Sequence, residues 1–271
     1  MTSMPIESPV ALPAPVARAS AARVIAALMG RDLRRFFRQP SRVVGSVAQP
    51  LLLWVVLGAG FADSFQAAGT GYLNYFFPGT IVLAMLFTAI FSTMSVIDDR
   101  HHGFLQAVLV APVSRTALVL GKTLGGVAIA LVQAVAFVAL APLAGFSFGE
   151  MDLPFVFAVL TVTALGFTAL GFAVAWWIDS TQGYHGIMSV ALLPLWMLSG
   201  AMFPPGASHR WVFLVMRINP MTYAVSAVRR GLGGGAAGLL GGTSAVMELG
   251  ATALFAAAAV AVAVAVCRRR A

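Results

Sequence analysis

"GKTLGGVAIALVQAVAFVALAPLAGF", residues 121–146, begins like a phosphate-binding loop and continues as something else. A nucleotide-cradling loop needs a glycine five positions before Gly121, so that backbone amides can curl around the phosphates, but that position is Thr116. After Lys122, about two dozen residues pass without a charge, enough to cross a bilayer. Gly121-Lys122-Thr123 is therefore expected at a membrane border, with Lys122 snorkelling to the cytoplasmic headgroups and no cofactor held on this chain.

The same pattern recurs outward in both directions. Hydrophobic residues are 60% of the 271, charged residues only 10%, and the mean hydropathy of +0.91 is that of a polytopic membrane protein rather than a soluble domain. Uncharged segments at about 43–62, 75–97, 123–146, 153–178, 186–203 and 249–266 each have spanning length. The expected fold is all-α with six transmembrane helices, a domain at 43–266. A seventh candidate, 211–228, is broken by Arg217 and by Asn219-Pro220, and reads as a re-entrant hairpin within 204–230 on the outer side.

Residues 1–17, rich in Pro and Ala, read as a disordered tail. In 18–39, Ile25, Leu28, Met29, Leu33, Phe36 and Phe37 fall on one helical face and Arg23, Arg31, Arg34, Arg35 and Arg38 on the other. This predicts an amphipathic helix lying on the lipid bilayer and stopped by Pro40. Seven of the seventeen Lys and Arg lie in residues 1–42, three between the second and third spans and three in the basic tail 267–271, leaving four for the opposite side. The positive-inside rule then makes both termini cytoplasmic. The net charge of +8 belongs to membrane borders and implies no nucleic-acid partner.

Two polar segments interrupt the apolar runs. In 98–122, a short helix around Phe104 to Val110 is bracketed by Gly103 and Pro112, and Asp98, Asp99, Arg100 and Arg115 rim it. An apolar helix in a water-facing connection is expected to dock a soluble partner, with Leu105, Leu109 and Arg115 forming the patch. In 192–232, Pro194 kinks the fifth span, Pro204 and Pro205 end it, and Asn219-Pro220 turns the chain back.

Here the chain resembles the permease subunits of type-2 ATP-binding-cassette (ABC) exporters. "LSGAMFPP" (198–205) is followed after about a dozen residues by "NPMTYAVSAVR" (219–229), with Pro220, Met221, Tyr223 and Arg229 in the family's spacing, and "APVSRTALVLGK" (111–122) resembles the segment joining spans two and three. The chain departs from the family where glutamates flank the glycine of the first segment, having His101 and Gln106 instead. The resemblance implies a plasma-membrane exporter in which two permeases join two nucleotide-binding subunits. ATP and Mg are then bound on those partner chains, 98–122 is the coupling segment, Gly121-Lys122 is its hinge to the third span, and 204–230 shapes the exit.

Other residues point to less. His101 and His102 beside Asp98 and Asp99 have no distant His or Cys to complete a metal site, and no metal is expected. Gln49 and Gln133, within spans one and three, read as interhelical hydrogen bonds or pathway residues, and Gly166 and Gly171 as points of close helix approach. The spans hold no His or carboxylate from which an intramembrane enzyme could be built, so no catalytic residue is assigned. A membrane-embedded assembly scaffold without transport is the alternative reading.

Overall fold

The computed structural model describes residues 20–61, 66–67, 70–111, 113–234 and 238–269; the expected tail 1–17, Pro112 and the last residues of the basic tail lie outside the described residues. The architecture is all-α, apart from a two-residue antiparallel bridge that pairs Gln66–Ala67 with Thr70–Gly71. Helix α1 (Ala21–Phe37) precedes α2 (Pro40–Gly60), α3 (Tyr72–His101), α4 (Phe104–Val110), α5 (Arg115–Ala139), α6 (Leu153–Ala175) and α7 (Thr181–Trp196). A π-helical stretch, Met197–Ala201, then leads to α8 (Arg210–Ile218), α9 (Pro220–Gly231) and α10 (Ala245–Arg269). Helices α2, α3, α5, α6, α7 with its π extension, and α10 are long and apolar enough to cross a membrane.

Local chemistry sets the starts of these helices. Ser114, Asp152 and Ser180 accept from Ala117 N (3.2 Å), Phe155 N (3.0 Å) and Gly183 N (3.2 Å), each capping a helix N-terminus that would otherwise expose unpaired amides. Helix α3 is the axis of the bundle, 89% buried along its most apolar stretch against 22% for α2 and α10. Its 30 residues extend about 45 Å, well beyond a hydrocarbon core of about 30 Å. It therefore overruns the expected span 75–97 and carries Asp98, Asp99 and Arg100 as its last helical turn instead of as a loop.

Small residues let the other helices close on this axis. A Cβ at Gly126 of α5 would lie 2.6 Å from Thr168 Cγ2 of α6, and one at Gly166 of α6 would lie 2.7 Å from Phe255 of α10. Gly171 is closed off in the same way by Thr93 of α3 and Tyr184 of α7. Mid-bundle, Gln133 donates to Ser46 Oγ at 2.6 Å and accepts from Thr88, which joins α5 to α2 and α3. Gln49, by contrast, is exposed on α2.

The broken end of α7 is built around α8 and α9, which meet at 83°. Pro194 and the left-handed Gly200 (φ 76°) disrupt the helical ladder and free carbonyls inside the bundle. Asn219 Nδ2 donates to Leu195 O (2.6 Å) and Leu198 O (3.0 Å), while Tyr75 donates to Gly200 O (2.7 Å) and Tyr72 to Met202 O (3.1 Å). The chain leading into α8 meets α3 at Met202, and α9 ends where Gly231 O accepts from Asp152 N, at the start of α6. The points where the chain approaches α8 and leaves α9 thus lie at one face of the bundle, where α3 and α6 begin.

Candidate functional site: a buried charge cluster behind the short connecting helix

The opposite face gathers α1, the end of α3, α4, the start of α5 and the ends of α6 and α10. Leu28, Asp32 and Phe36, spaced i, i+4, i+8, form the buried stripe of α1, which lies across α5. The contact is close because Gly121 and Gly125 face it. A Cβ at Gly121 would come within 2.9 Å of Leu28 Cδ1, and one at Gly125 within 3.4 Å of Asp32 Cβ. The phosphate-loop-like "GKTLGG" is thus a small-xxx-small helix-packing surface. Its residues lie inside the α5 helix, where backbone amides face the preceding turn and no cradle for phosphate forms.

Lys122 is on this surface, its side chain only 2% exposed. It contacts Asp32 Oδ2 at 2.9 Å, Asp99 and Ser95 Oγ (3.5 Å), so all three ammonium protons face acceptors. The expected snorkel to the headgroups is therefore overturned: two buried carboxylates hold the ammonium inside. Asp98 and Asp99 likewise do not rim an exposed loop. Asp99 is buried against Arg31, Arg35 (2.7 Å) and Lys122, and Asp98 pairs with Arg42 (2.8 Å) and Arg35 (3.3 Å). Together these charges bridge α1, α2, α3 and α5. The void among them is only about 10 Å³, roughly the room of one water, so the cluster is a junction rather than a ligand pocket.

Asp32 was not singled out by sequence reasoning. Its signal was present: it is the one acid in the basic stretch 18–39, and it is in helical register with Leu28 and Phe36.

Helix α4 sits on this junction. Gly103, at φ 72°, makes the left-handed turn out of α3 that a side chain would disfavour. The Arg31 guanidinium lies 3.7 Å from the centre of the Phe104 ring, a cation–π contact joining α4 to the cluster. The arginines on either side of α4 are anchored as well. Arg100 donates to Trp176 O (2.8 Å) and Ala175 O (3.3 Å) and pairs with Asp179, while Arg115 donates to Arg268 O (3.0 Å) and Cys267 O (3.4 Å). Each places a cation at the negative end of a helix, α6 and α10 respectively. Arg115, half-buried, is therefore tied to the end of α10. Leu105 is turned inward and buried, and the side chain of Leu109 lies outside the described residues. Among the described side chains of α4, Gln106, Ala107 and Val110 face outward, the last 85% exposed.

At the other face, Pro204 and Pro205 lead into α8, Arg217 is exposed, and its carbonyl accepts from Tyr223 Oη at 2.8 Å. Asn219 caps α9 through Met221 N (2.9 Å), ahead of Pro220 at the first helical position. Arg229 lies 4.0 Å from the centre of the Tyr75 ring and donates to Tyr75 O at 3.0 Å, near the backbone donor removed by Pro78. Arg230 and Ser226 bind the buried Glu248 at the start of α10.

The family profile described as ABC-2 type transporter matches residues 23–232, which includes α1, the junction, α4 and the α8–α9 pair. The chain belongs to the ABC-2 type transporter family. It is similar to the transport permease ycf38 of Porphyra purpurea, 26% identical over 76% of this chain and 72% of that one. The daunorubicin resistance ABC transporter permease protein DrrB1 of Streptomyces coeruleorubidus is 25% identical over 86% and 81% of the two chains. Nodulation protein J of Neorhizobium galegae is 24% identical over 70% and 73%. As an ABC-2 family member the protein is a multi-pass transport permease subunit and not itself the catalytic chain. The buried junction and the anchored α4 are thus features of a transport subunit.

Proposed function

We propose that this permease forms the substrate path of a plasma-membrane exporter, working as a dimer driven by two separate ATPase subunits, with α1, α4 and both termini cytoplasmic. The observation that carries the reading is the mounting of α4: Ala107 and Val110 are exposed on it, Phe104 holds Arg31 of the charge cluster, and the flanking Arg100 of α3 and Arg115 of α5 are fixed to the ends of α6 and α10. A push on such a helix moves the bundle ends with it, because separating buried ion pairs leaves uncompensated charges. A ligand-driven change needs contacts that differ between states, and here ATP and Mg on the partner supply the difference. Outward direction is supported by the relative named for daunorubicin resistance, since resistance is served by removal of the compound. In this reading α8–α9 dips into the outer half of the membrane, where Pro204, Pro205, Asn219, Pro220, Tyr223 and Arg229 fix the shape of the exit.

The docking surface is Gln106, Ala107 and Val110. Ala107→Asp/Val110→Asp, placing charge in the centre of an apolar contact, is expected to reduce co-purification of the ATPase subunit with the tagged permease by about tenfold, with membrane insertion unchanged. Undiminished co-purification would remove α4 from the interface and with it the coupling role.

A further inference from the structure

We propose that α1 carries a binding site for the phosphate of an anionic phospholipid, drawn from the leaflet that meets this face of the bundle. The site is an open groove of about 510 Å³ lined by Arg31, Arg34, Arg35, Arg38 and Gln39. Four arginines at i, i+3, i+4, i+7 share one helical face. Around them the charge does not balance. Arg31, Arg34, Arg35, Arg38, Arg42 and Lys122 stand against three carboxylates, Asp32, Asp98 and Asp99, and those three are already engaged by Arg31, Arg35, Arg42 and Lys122.

Among the described residues no carboxylate is in ion-pair reach of Arg34 or Arg38, and the Arg31 Nε–H is buried without an acceptor. A guanidinium fork matches a phosphate oxygen pair better than any other common anion of a membrane surface, and several converging forks select an anion over a zwitterion. The source of that phosphate is read from the chain that follows the groove residues. Phe37, next to Arg38, is 46% exposed, and Val44, one turn into the membrane-crossing α2, is 60% exposed. Exposed apolar side chains adjoining the arginines in sequence, at the start of a span, suit a lipid, whose acyl chains lie along α2 while its headgroup meets the arginines. Because Arg31 and Arg35 also hold Asp99, the bound phosphate would touch the charges that dock α1 onto the bundle.

The test uses the detergent-solubilised full chain titrated with dioleoylphosphatidylglycerol or dioleoylphosphatidylcholine and read by native mass spectrometry. The anionic lipid should be retained about tenfold more tightly than the zwitterionic one, and Arg34→Gln/Arg38→Gln should erase the difference. Arg34→Lys/Arg38→Lys should retain part of it. Neither arginine takes part in the buried cluster, so the thermal unfolding midpoint of these variants should match the parent. Three results would overturn the proposal. Equal retention of both lipids would show no headgroup preference. Displacement of the anionic lipid by excess inorganic phosphate would mark a site for free anions. Unchanged lipid retention in the Gln variant, with co-purification of the ATPase subunit lost, would assign the arginines to a protein partner.

Discussion

Lys122 and Asn219 carry the sharpest consequences of burial in this protein. Lys122 neutralises two carboxylates that would otherwise be buried close together, so Lys122→Met should destabilise the chain by about 3–5 kcal/mol, the range for breaking a buried pair by removing one partner. The expected result is a clear drop in the thermal unfolding midpoint in detergent, partly recovered in Lys122→Met/Asp32→Leu. A lysine that merely snorkelled would give a nearly neutral change. Asn219 acts on backbone instead of on charge. Its amide occupies two carbonyls released where α7 breaks, so Asn219→Ala leaves both unsatisfied, at about 1–3 kcal/mol each. Transport should fall in this variant while the ATPase subunit still co-purifies, because the affected carbonyls lie at the face opposite α4.

Among the elements, α1 depends on glycine in α5 more than on its own amphipathicity. A leucine at Gly121 would drive its side chain into Leu28 and lever α1 away, an overpacking cost of about 1–3 kcal/mol, or roughly a tenfold population of the undocked helix. With Cys267 replaced by Ser, a cysteine at Leu28 should react slowly with maleimide in the parent and about tenfold faster in Gly121→Leu; equal rates would mean that α1 does not dock through these glycines. The same surface explains what the sequence could and could not disclose. Hydropathy located the six long apolar helices among the described residues, since a span needs only length and lack of charge, and the Pro and Asn-Pro breaks marked α7 and α8–α9. Pairings across the fold were not legible. Asp32 and Lys122 are 90 positions apart, Arg115 and Arg268 are 153 apart, and no local period connects either pair. Exposure within a short helix was equally hidden: an apolar seven-residue run does not disclose that Leu105 faces in and Val110 out.

For the whole molecule, the decisive question is whether the chain crosses the membrane six times or seven. Contacts tie α1, α4 and the end of α10 together at one face, and Met202 before α8 and Gly231 at the end of α9 both meet the other, as an even number of crossings requires. Seven crossings would place the segments before α8 and after α9 on opposite sides and would pull the end of α10 away from Arg115. The charge distribution points the same way, because the four arginines outside the main basic clusters, Arg210, Arg217, Arg229 and Arg230, all belong to the α8–α9 pair. Single cysteines placed in a Cys267→Ser background can decide between the two. Gly149→Cys, Gly206→Cys and Ser244→Cys, all at exposed positions, should react with a membrane-impermeant maleimide applied to intact cells. Ala107→Cys should react only after the membrane is opened. Labelling of Gly206→Cys without Ser244→Cys would make α8–α9 a true span, and labelling of Ala107→Cys from outside would put α4 beyond the reach of any cytoplasmic ATPase.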